Sequence, residues 1–267
     1  MWEDFTMTAL QRPGGELATR PIHFFWVVDC SGSMYGEKIG IVNNTIQECI
    51  PEMRSAADNN PNAQLLIRAL QFSSGASWIT SSPVPVEDYG WEDMDANGLT
   101  ELGKAFDLLA AQLSIPPMPE RALPPVIVLL SDGQPTDDYK KSMDRLKKLP
   151  WFRKAVKIAI SIGQDADDEV LIEFTGNKEL VLQANNATAL AKMIKWASTT
   201  ASMVSAPSSK PMNSVSTEAT AATAPGTSAV ASIPADDPFA PANNGAPLVL
   251  DMSNIPNPDD FDEGAVW

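Results

Sequence analysis

Residues 22–34 read IHFFWVVDCSGSM, and this stretch decides the fold class. The run at 22–28 is almost wholly β-branched or aromatic, which is typical of a strand buried on both faces of a sheet. Asp29 stands at the end of this run, and Ser31 and Ser33 follow it at alternate positions. The stretch therefore predicts a buried strand that ends in three oxygen-bearing side chains just before a helix.

Strand-like and helix-like patterns alternate along the chain from residue 22 to about residue 202. Apolar runs predict further strands at 63–72, 76–82, 126–132, 155–163 and 178–183. Apolar residues at helical spacing predict helices at 36–53, 101–113, 136–150, 167–176 and 188–202. This alternation is typical of an α/β doubly wound fold, in which a mostly parallel sheet carries helices on both faces. Thr136 or Asp137 is expected to cap the third of these helices.

Composition changes sharply after residue 203, and it divides the chain into four predicted segments. They are an N-terminal arm at 1–20, a folded domain at 21–203, a disordered linker rich in Ser, Ala, Thr and Pro at 204–246, and an acidic, apolar C-terminal motif at 247–267. The residues around 59–61, Asn-Asn-Pro, are expected to end the first helix.

Net charge, cysteine content and the lengths of the apolar runs predict the kind of partner, the state of the thiols and the location of the protein. The net charge of −15 and the pI of about 4.4 disfavour nucleic acid and anionic membranes. Cys30 and Cys49 form neither a disulfide framework nor a zinc motif, so we expect reduced thiols. Because the N-terminus lacks an apolar signal region and no apolar run is long enough to span a membrane, the sequence predicts a cytoplasmic protein.

Two further residues are expected beside the end of the first strand. Asp132 ends the strand at 126–132, and Thr100 lies just before the helix at 101–113. Ligands bind at the carboxyl ends of the strands in such folds, and oxygen-only ligands suit Mg²⁺ first, with Mn²⁺ or Ca²⁺ next. The predicted metal ligands are Asp29, Ser31, Ser33, Thr100 and Asp132. Read alone, the first three admit an alternative, in which Ser33 merely caps the following helix.

The pattern DxSxS, a later loop Thr and a later strand-end Asp together resemble the metal-ion-dependent adhesion site of von Willebrand factor A domains. The resemblance covers about 20–202 and implies a Rossmann-like fold. It implies that the serines and the threonine bind the metal directly, and that Asp29 and Asp132 bind it directly or through water. A carboxylate from a partner protein would then take the open position.

Four phrases resemble the TerY-like, tellurium-resistance-associated bacterial branch of that family. They are DCSGSM, VNNTIQECI, GLTELGKAF and LLSDGQPTDDY. In that branch a stand-alone A domain often accompanies a protein kinase and a protein phosphatase, which the resemblance therefore implies as partners. The expected function is a metal-dependent protein-binding adaptor in a bacterial stress-response or phospho-signalling system.

The sequence offers little support for an enzymatic function. A P-loop and a GxSxG elbow are both missing, and His23, the one histidine, lies within the first predicted strand. The remaining alternative is a metal-dependent hydrolase acting on phosphate esters, which would have only Asp29 and Asp132 as bases.

Three functions stay open for the C-terminal motif: docking on a partner, capping of the metal by one of its acids, or acting as a solvating tail.

Overall fold

The computed structural model describes residues 19–58, 63–163, 167–205, 230–231 and 248–249. The strands of the main sheet are β1 (Arg20–Asp29), β2 (Ala63–Ser73), β3 (Gly75–Trp78), β4 (Val84–Pro85), β5 (Val126–Ser131), β6 (Val156–Ile162) and β7 (Val181–Ala184). The α-helices are α1 (Glu37–Asp58), α2 (Leu102–Gln112), α3 (Lys140–Lys148), α4 (Pro150–Lys154), α5 (Asp168–Thr175) and α6 (Ala187–Ser205). The element order confirms the predicted α/β class.

The sheet has the strand order β3-β2-β1-β5-β6-β7, and β4 also pairs with β2. Strands β2, β1, β5, β6 and β7 are parallel, whereas β3 and β4 run antiparallel to β2. The chain leaves β1 on one side to form β2 and returns on its other side to form β5. The carboxyl ends of β1 and β5 therefore border the crevice where folds of this kind bind ligands.

Alternate residues of β1 face two separate cores. Phe24 and Trp26 belong to the core beneath α1 and α6, while Phe25 and Val27 belong to the core beneath α2 to α5. All four side chains are fully buried. Full burial of a large apolar side chain stabilises a fold by about 1.5–3 kcal/mol, so the continuous apolar run holds this strand at the centre of the sheet.

Three local predictions were wrong in detail. The helix predicted at 136–150 spans only Lys140–Lys148, and a separate helix starts at Pro150, because Pro150 disfavours a helical Leu149, whose backbone is extended. The strand predicted at 178–183 starts with a 3₁₀ turn at Lys178–Leu180, capped by the Asn177 side chain. Between the predicted strand at 76–82 and Thr100, where no element is predicted, the chain forms the short strand β4.

Several predictions fall on residues outside the described part of the chain. These are most of the arm at 1–20, the helix stop at 59–61, and nearly all of the linker at 204–246 and of the motif at 247–267, so the segment boundaries stay predictions. In the last two segments β8 (Val230–Ala231) pairs antiparallel with β9 (Leu248–Val249). Among the described helices, none combines the length and apolar character that crossing a membrane demands.

Candidate metal centre

Asp29 is the buried anchor of the candidate site. Its Oδ1 accepts the backbone N–H of Ser31 at 2.8 Å, and its Oδ2 accepts the hydroxyl of Ser131 at 2.6 Å. Burial raises the pKa of the Asp29 carboxyl above its usual value; the bonds from Ser131 and Ser31 lower it, and the charge of Asp132 raises it further. The carboxylate is therefore held in one orientation at the base of the loop.

The three hydroxyl and carboxylate groups above Asp29 form a short chain. The Ser33 hydroxyl donates to Asp132 Oδ1 at 2.7 Å and lies 3.0 Å from the Ser31 hydroxyl. Since a hydroxyl has one hydrogen to donate, Ser31 donates to Ser33. Neighbouring ligands in an octahedral Mg²⁺ site are about 2.9 Å apart, which follows from its metal–oxygen distance of about 2.0–2.1 Å. The spacing of these oxygens matches that requirement.

Lys38 holds the other oxygen of Asp132. Its Nζ lies 2.7 Å from Asp132 Oδ2, and the exposed fractions of the two side chains are 16% and 0%. A buried carboxylate needs such a partner, and the pairing leaves Oδ1 turned to Ser33. Sequence reasoning missed Lys38. A lysine in the first turn of a helix opposes the helix dipole, and that signal could have marked it as serving a nearby carboxylate.

Backbone hydrogen bonds bring the loop of Thr100 beside the loop of the two serines. The Gly32 N–H donates to the Gly98 carbonyl at 3.0 Å, and the Asn97 N–H donates to the Cys30 carbonyl at 2.8 Å. Gly98 has a φ of +80°, and a Cβ there would lie 2.6 Å from the Ser74 hydroxyl. Only glycine therefore fits this turn.

Thr100 is fixed from a third loop. Its N–H donates to Thr136 Oγ1 at 3.1 Å, and its carbonyl accepts the Thr136 N–H at 2.9 Å. A Cβ built on Gly133 would lie 3.6 Å from both Thr100 Oγ1 and Ser33 Oγ. The two hydroxyls thus border one space, which the glycine leaves open. The structure brings all five predicted ligands to this edge of the sheet.

The loop after Asp132 differs from its predicted role. Thr136 and Asp137 are not the N-cap of the helix that follows; that position is Tyr139, whose side chain makes no cap bond within the described part of the chain. Thr136 instead holds Thr100, and Asp137 Oδ1 accepts the N–H of Gly103 in the first turn of α2 at 3.1 Å. A Cβ on Gly103 would lie 2.7 Å from the Asp137 carboxylate. Both residues therefore support the loop of Thr100.

The donor set fits a hard divalent cation. Within the described residues no cluster of three or more His, Cys, Asp or Glu side chains could hold a metal ion, so an ion here depends on hydroxyl oxygens. Hydroxyls and carboxylates together suit Mg²⁺, Mn²⁺ or Ca²⁺. The Ser33 hydroxyl donates to Asp132 and can still accept a backbone N–H, so the capping alternative stays open beside metal binding. Ligation by the five residues stays a prediction.

Solved structures share the fold at low identity. They include VWA2, an ArnB paralog from Sulfolobus acidocaldarius (18% identity, TM-score 0.51, 67% of this chain and 45% of that one). A second is proximal thread matrix protein 1 of the mussel byssus with a zinc-occupied MIDAS motif (17%, 0.50, 70% and 47%). A third is a mutant PilB minor pilin from Streptococcus sanguinis (15%, 0.53, 74% and 64%). The chain spans about half the length of the first two.

The family assignment rests on a sequence model. No curated protein matches the chain. The model of the von Willebrand factor type A domain matches residues 25–196, which is well over half of the 267 residues. This family often mediates metal-dependent protein interactions or adhesion. The matched region contains every residue of the candidate metal centre, and the chain belongs to the von Willebrand factor type A domain family.

Proposed function

We propose that the protein is a metal-dependent protein-binding module and not an enzyme. In this proposal Ser31, Ser33 and Thr100 bind Mg²⁺ directly, while Asp29 and Asp132 bind it directly or through water. The observation that carries the proposal is the 2.7 Å contact of the Ser33 hydroxyl with Asp132, which joins the ends of two neighbouring strands. Mn²⁺ and Ca²⁺ are the next candidate ions, because they accept the same oxygen donors.

The charges of the centre favour a carboxylate as the partner's contribution. With both carboxylates ionised, the formal charges of Asp29, Asp132 and Lys38 add to −1. A divalent cation bound there leaves one net positive charge, and its neutral hydroxyl ligands leave that charge concentrated on the ion. An Asp or Glu side chain of a partner protein would neutralise it and complete the coordination shell.

The biological setting is proposed from the sequence resemblance. We assign the chain to the TerY-like branch and propose an adaptor role in a cytoplasmic bacterial stress-response or phospho-signalling system of the tellurium-resistance type. A protein kinase and a protein phosphatase of the same system are the proposed partners. The net charge of −15 supports a protein surface, and neither nucleic acid nor membrane, as the binding target.

Affinity capture with and without EDTA tests this function. We expect the full chain to retain partners in Mg²⁺ and to lose them in EDTA. The double variant Ser31→Ala/Ser33→Ala should lose them in both conditions while its circular dichroism stays that of the wild type. Ser114→Ala is the matched control, because within the described structure that hydroxyl bonds only the Ala110 carbonyl near the far end of α2. Partner capture that is unchanged by EDTA would contradict the proposal.

The alternative activity, metal-dependent hydrolysis of phosphate esters, has its own assay. We expect no turnover of a generic phosphate monoester in Mg²⁺, Mn²⁺ or Ca²⁺. Turnover that disappears in Asp132→Ala would replace the binding proposal with the hydrolase.

A further inference from the structure

Two large apolar side chains are exposed in the loops that carry the candidate metal ligands. Among the described residues, the exposed large hydrophobic side chains are Tyr35 (79%), Leu99 (55%) and Ile115 (47%). Tyr35 lies two positions after Ser33, and Leu99 directly precedes Thr100. Exposed apolar groups gathered at one place on a surface mark an interaction site more often than single ones do.

A backbone hydrogen bond joins the two loops, and we call Tyr35 and Leu99, which follow this junction in the two loops, the apolar rim. The Gly32 N–H bonds the Gly98 carbonyl at 3.0 Å, directly before Leu99 and three residues before Tyr35. Met34 is fully buried, while its neighbour Tyr35 is the most exposed of the three large apolar side chains. Ile115, in contrast, follows the far end of α2, more than ten residues of helix away from Thr100. The apolar rim is therefore local to the candidate metal centre.

A ligand that fits this rim needs a large apolar side chain as well as a carboxylate. Resting on the proposed metal function, the surface offers a cation at its centre and apolar side chains beside it. Its best ligand is a segment in which an Asp or Glu stands next to a large apolar residue. Residues 259–263 of this chain, Asp-Asp-Phe-Asp-Glu, have this composition, with Phe261 between Asp260 and Asp262.

We propose that residues 259–263 of this chain dock on this rim. One of the carboxylates of Asp260 and Asp262 takes the open metal position, and Phe261 packs against Tyr35 and Leu99. The positive charge left on the metal complements the four acids of the segment. An external partner would then displace this segment in order to bind.

The length of chain allows this docking within one molecule. Strand β9 (Leu248–Val249) lies beside α6, so the chain returns to the domain ten residues before Asp259. Ten residues span up to about 33–36 Å when extended. Helix α6 has 19 residues and a length of about 28 Å, and it starts at the ligand-binding edge of the sheet because it follows β7. From any point along α6, the segment can approach that edge.

Binding of a synthetic peptide in trans tests the docking. The probe is a fluorescent peptide of residues 256–267, titrated by anisotropy against the full chain in Mg²⁺. The full-length variant Phe261→Ser should bind it at least fivefold more tightly than the wild type, because the wild-type segment competes from within the chain. EDTA should abolish binding to both proteins.

Variants of the rim identify the docking surface. In the Phe261→Ser background, Tyr35→Ser/Leu99→Ser should weaken peptide binding at least tenfold. Ile115→Ser is the matched control, because it removes an exposed apolar side chain away from the centre, and it should change the affinity less than twofold. Equal loss in the rim variant and the control, or equal peptide binding by wild type and Phe261→Ser, would overturn the proposal.

A separate titration with Mn²⁺ alone distinguishes this proposal from the function on which it rests. Mn²⁺ binding without metal-dependent peptide binding would overturn the docking and leave the metal centre in place. No Mn²⁺ binding by the wild-type chain would overturn both. Rim variants that bind Mn²⁺ as the wild type does, and lose only the peptide, support the docking.

Discussion

The Ser33 hydroxyl donates a 2.7 Å hydrogen bond to Asp132, a residue 99 positions further along the chain. The two residues meet because β1 and β5 are neighbouring parallel strands, so their carboxyl ends share one edge of the sheet. The candidate metal centre is thus assembled by the topology of the fold and not by one local motif. Substitutions in any of these separate loops should therefore weaken metal binding.

Gly133→Ala should weaken metal binding without unfolding the protein. Its Cβ would stand at ordinary contact distance, 3.6 Å, from Ser33 Oγ and Thr100 Oγ1, in the space that both hydroxyls border. We expect the affinity for Mn²⁺, measured by calorimetry, to fall at least tenfold, which corresponds to about 1.4 kcal/mol.

Gly40→Ala is the control for Gly133→Ala. Among the described residues, no atom lies within 4 Å of a Cβ at Gly40 in helix α1, and alanine favours a helix over glycine by about 0.5–1 kcal/mol. The control should raise the melting temperature slightly and leave Mn²⁺ affinity unchanged. Unchanged affinity in Gly133→Ala as well would place the ion elsewhere.

Lys38→Met should destabilise the metal-free fold by about 2–4 kcal/mol. The substitution leaves the fully buried Asp132 carboxylate without its 2.7 Å ion pair. Urea unfolding measures the loss, and Mg²⁺ should restore part of it by supplying the missing positive charge. Lys147→Met removes an exposed ion pair with Glu173 and should cost under about 1 kcal/mol. If both variants lost the same free energy of unfolding, the buried ion pair would contribute no more to stability than the exposed one.

Gly98→Ala and Gly176→Ala separate backbone strain from damage to the centre. Both glycines have positive φ, +80° and +76°, so alanine is strained at either position. A Cβ on Gly98 also meets the Ser74 hydroxyl at 2.6 Å, whereas no atom of the described part of the chain lies within 4 Å of one on Gly176. Both variants should lose about 1 kcal/mol or more of stability. Only Gly98→Ala should lose Mn²⁺ affinity, since its loop carries Thr100; a matching loss in Gly176→Ala would refute the distinction.

His23 should make the stability of the protein depend on pH. The side chain is 4% exposed and stacks on Phe25, and burial lowers its pKa from 6.5 to about 4. Neither imidazole nitrogen has a hydrogen-bond partner among the described residues. Because the unfolded chain binds the proton more readily, stability is lost as the pH falls from about 6.5 towards 4.

Urea unfolding at pH 7 and pH 5 measures this dependence. The wild type should lose about 2 kcal/mol between the two values through His23, given that one pKa unit is worth about 1.4 kcal/mol. His23→Leu should remove most of that loss. An unchanged pH dependence in the variant would assign the proton uptake to other groups.

The sequence was sufficient to predict the architecture and to predict that the five candidate residues lie at one edge of the sheet. A run such as Phe24–Val28 has to be a central strand, and residues that end parallel strands have to meet at one edge. The roles of Lys38, Ser131 and Thr136 depend on contacts between distant loops, which periodicity does not encode. The sequence also did not reveal that Asp137 bonds the first turn of α2, because Asp137 was an equally suitable cap for the helix that follows it in the chain.

Calorimetric titration of Mg²⁺ and Mn²⁺ into the full chain tests the central claim most directly. The wild type should bind one divalent ion, Ser31→Ala/Ser33→Ala should bind none while remaining folded, and Ser114→Ala should bind as the wild type does. Binding of the ion by the double serine variant with unchanged affinity, or no binding by the wild type, would contradict a hydroxyl-held metal centre at the ends of β1 and β5.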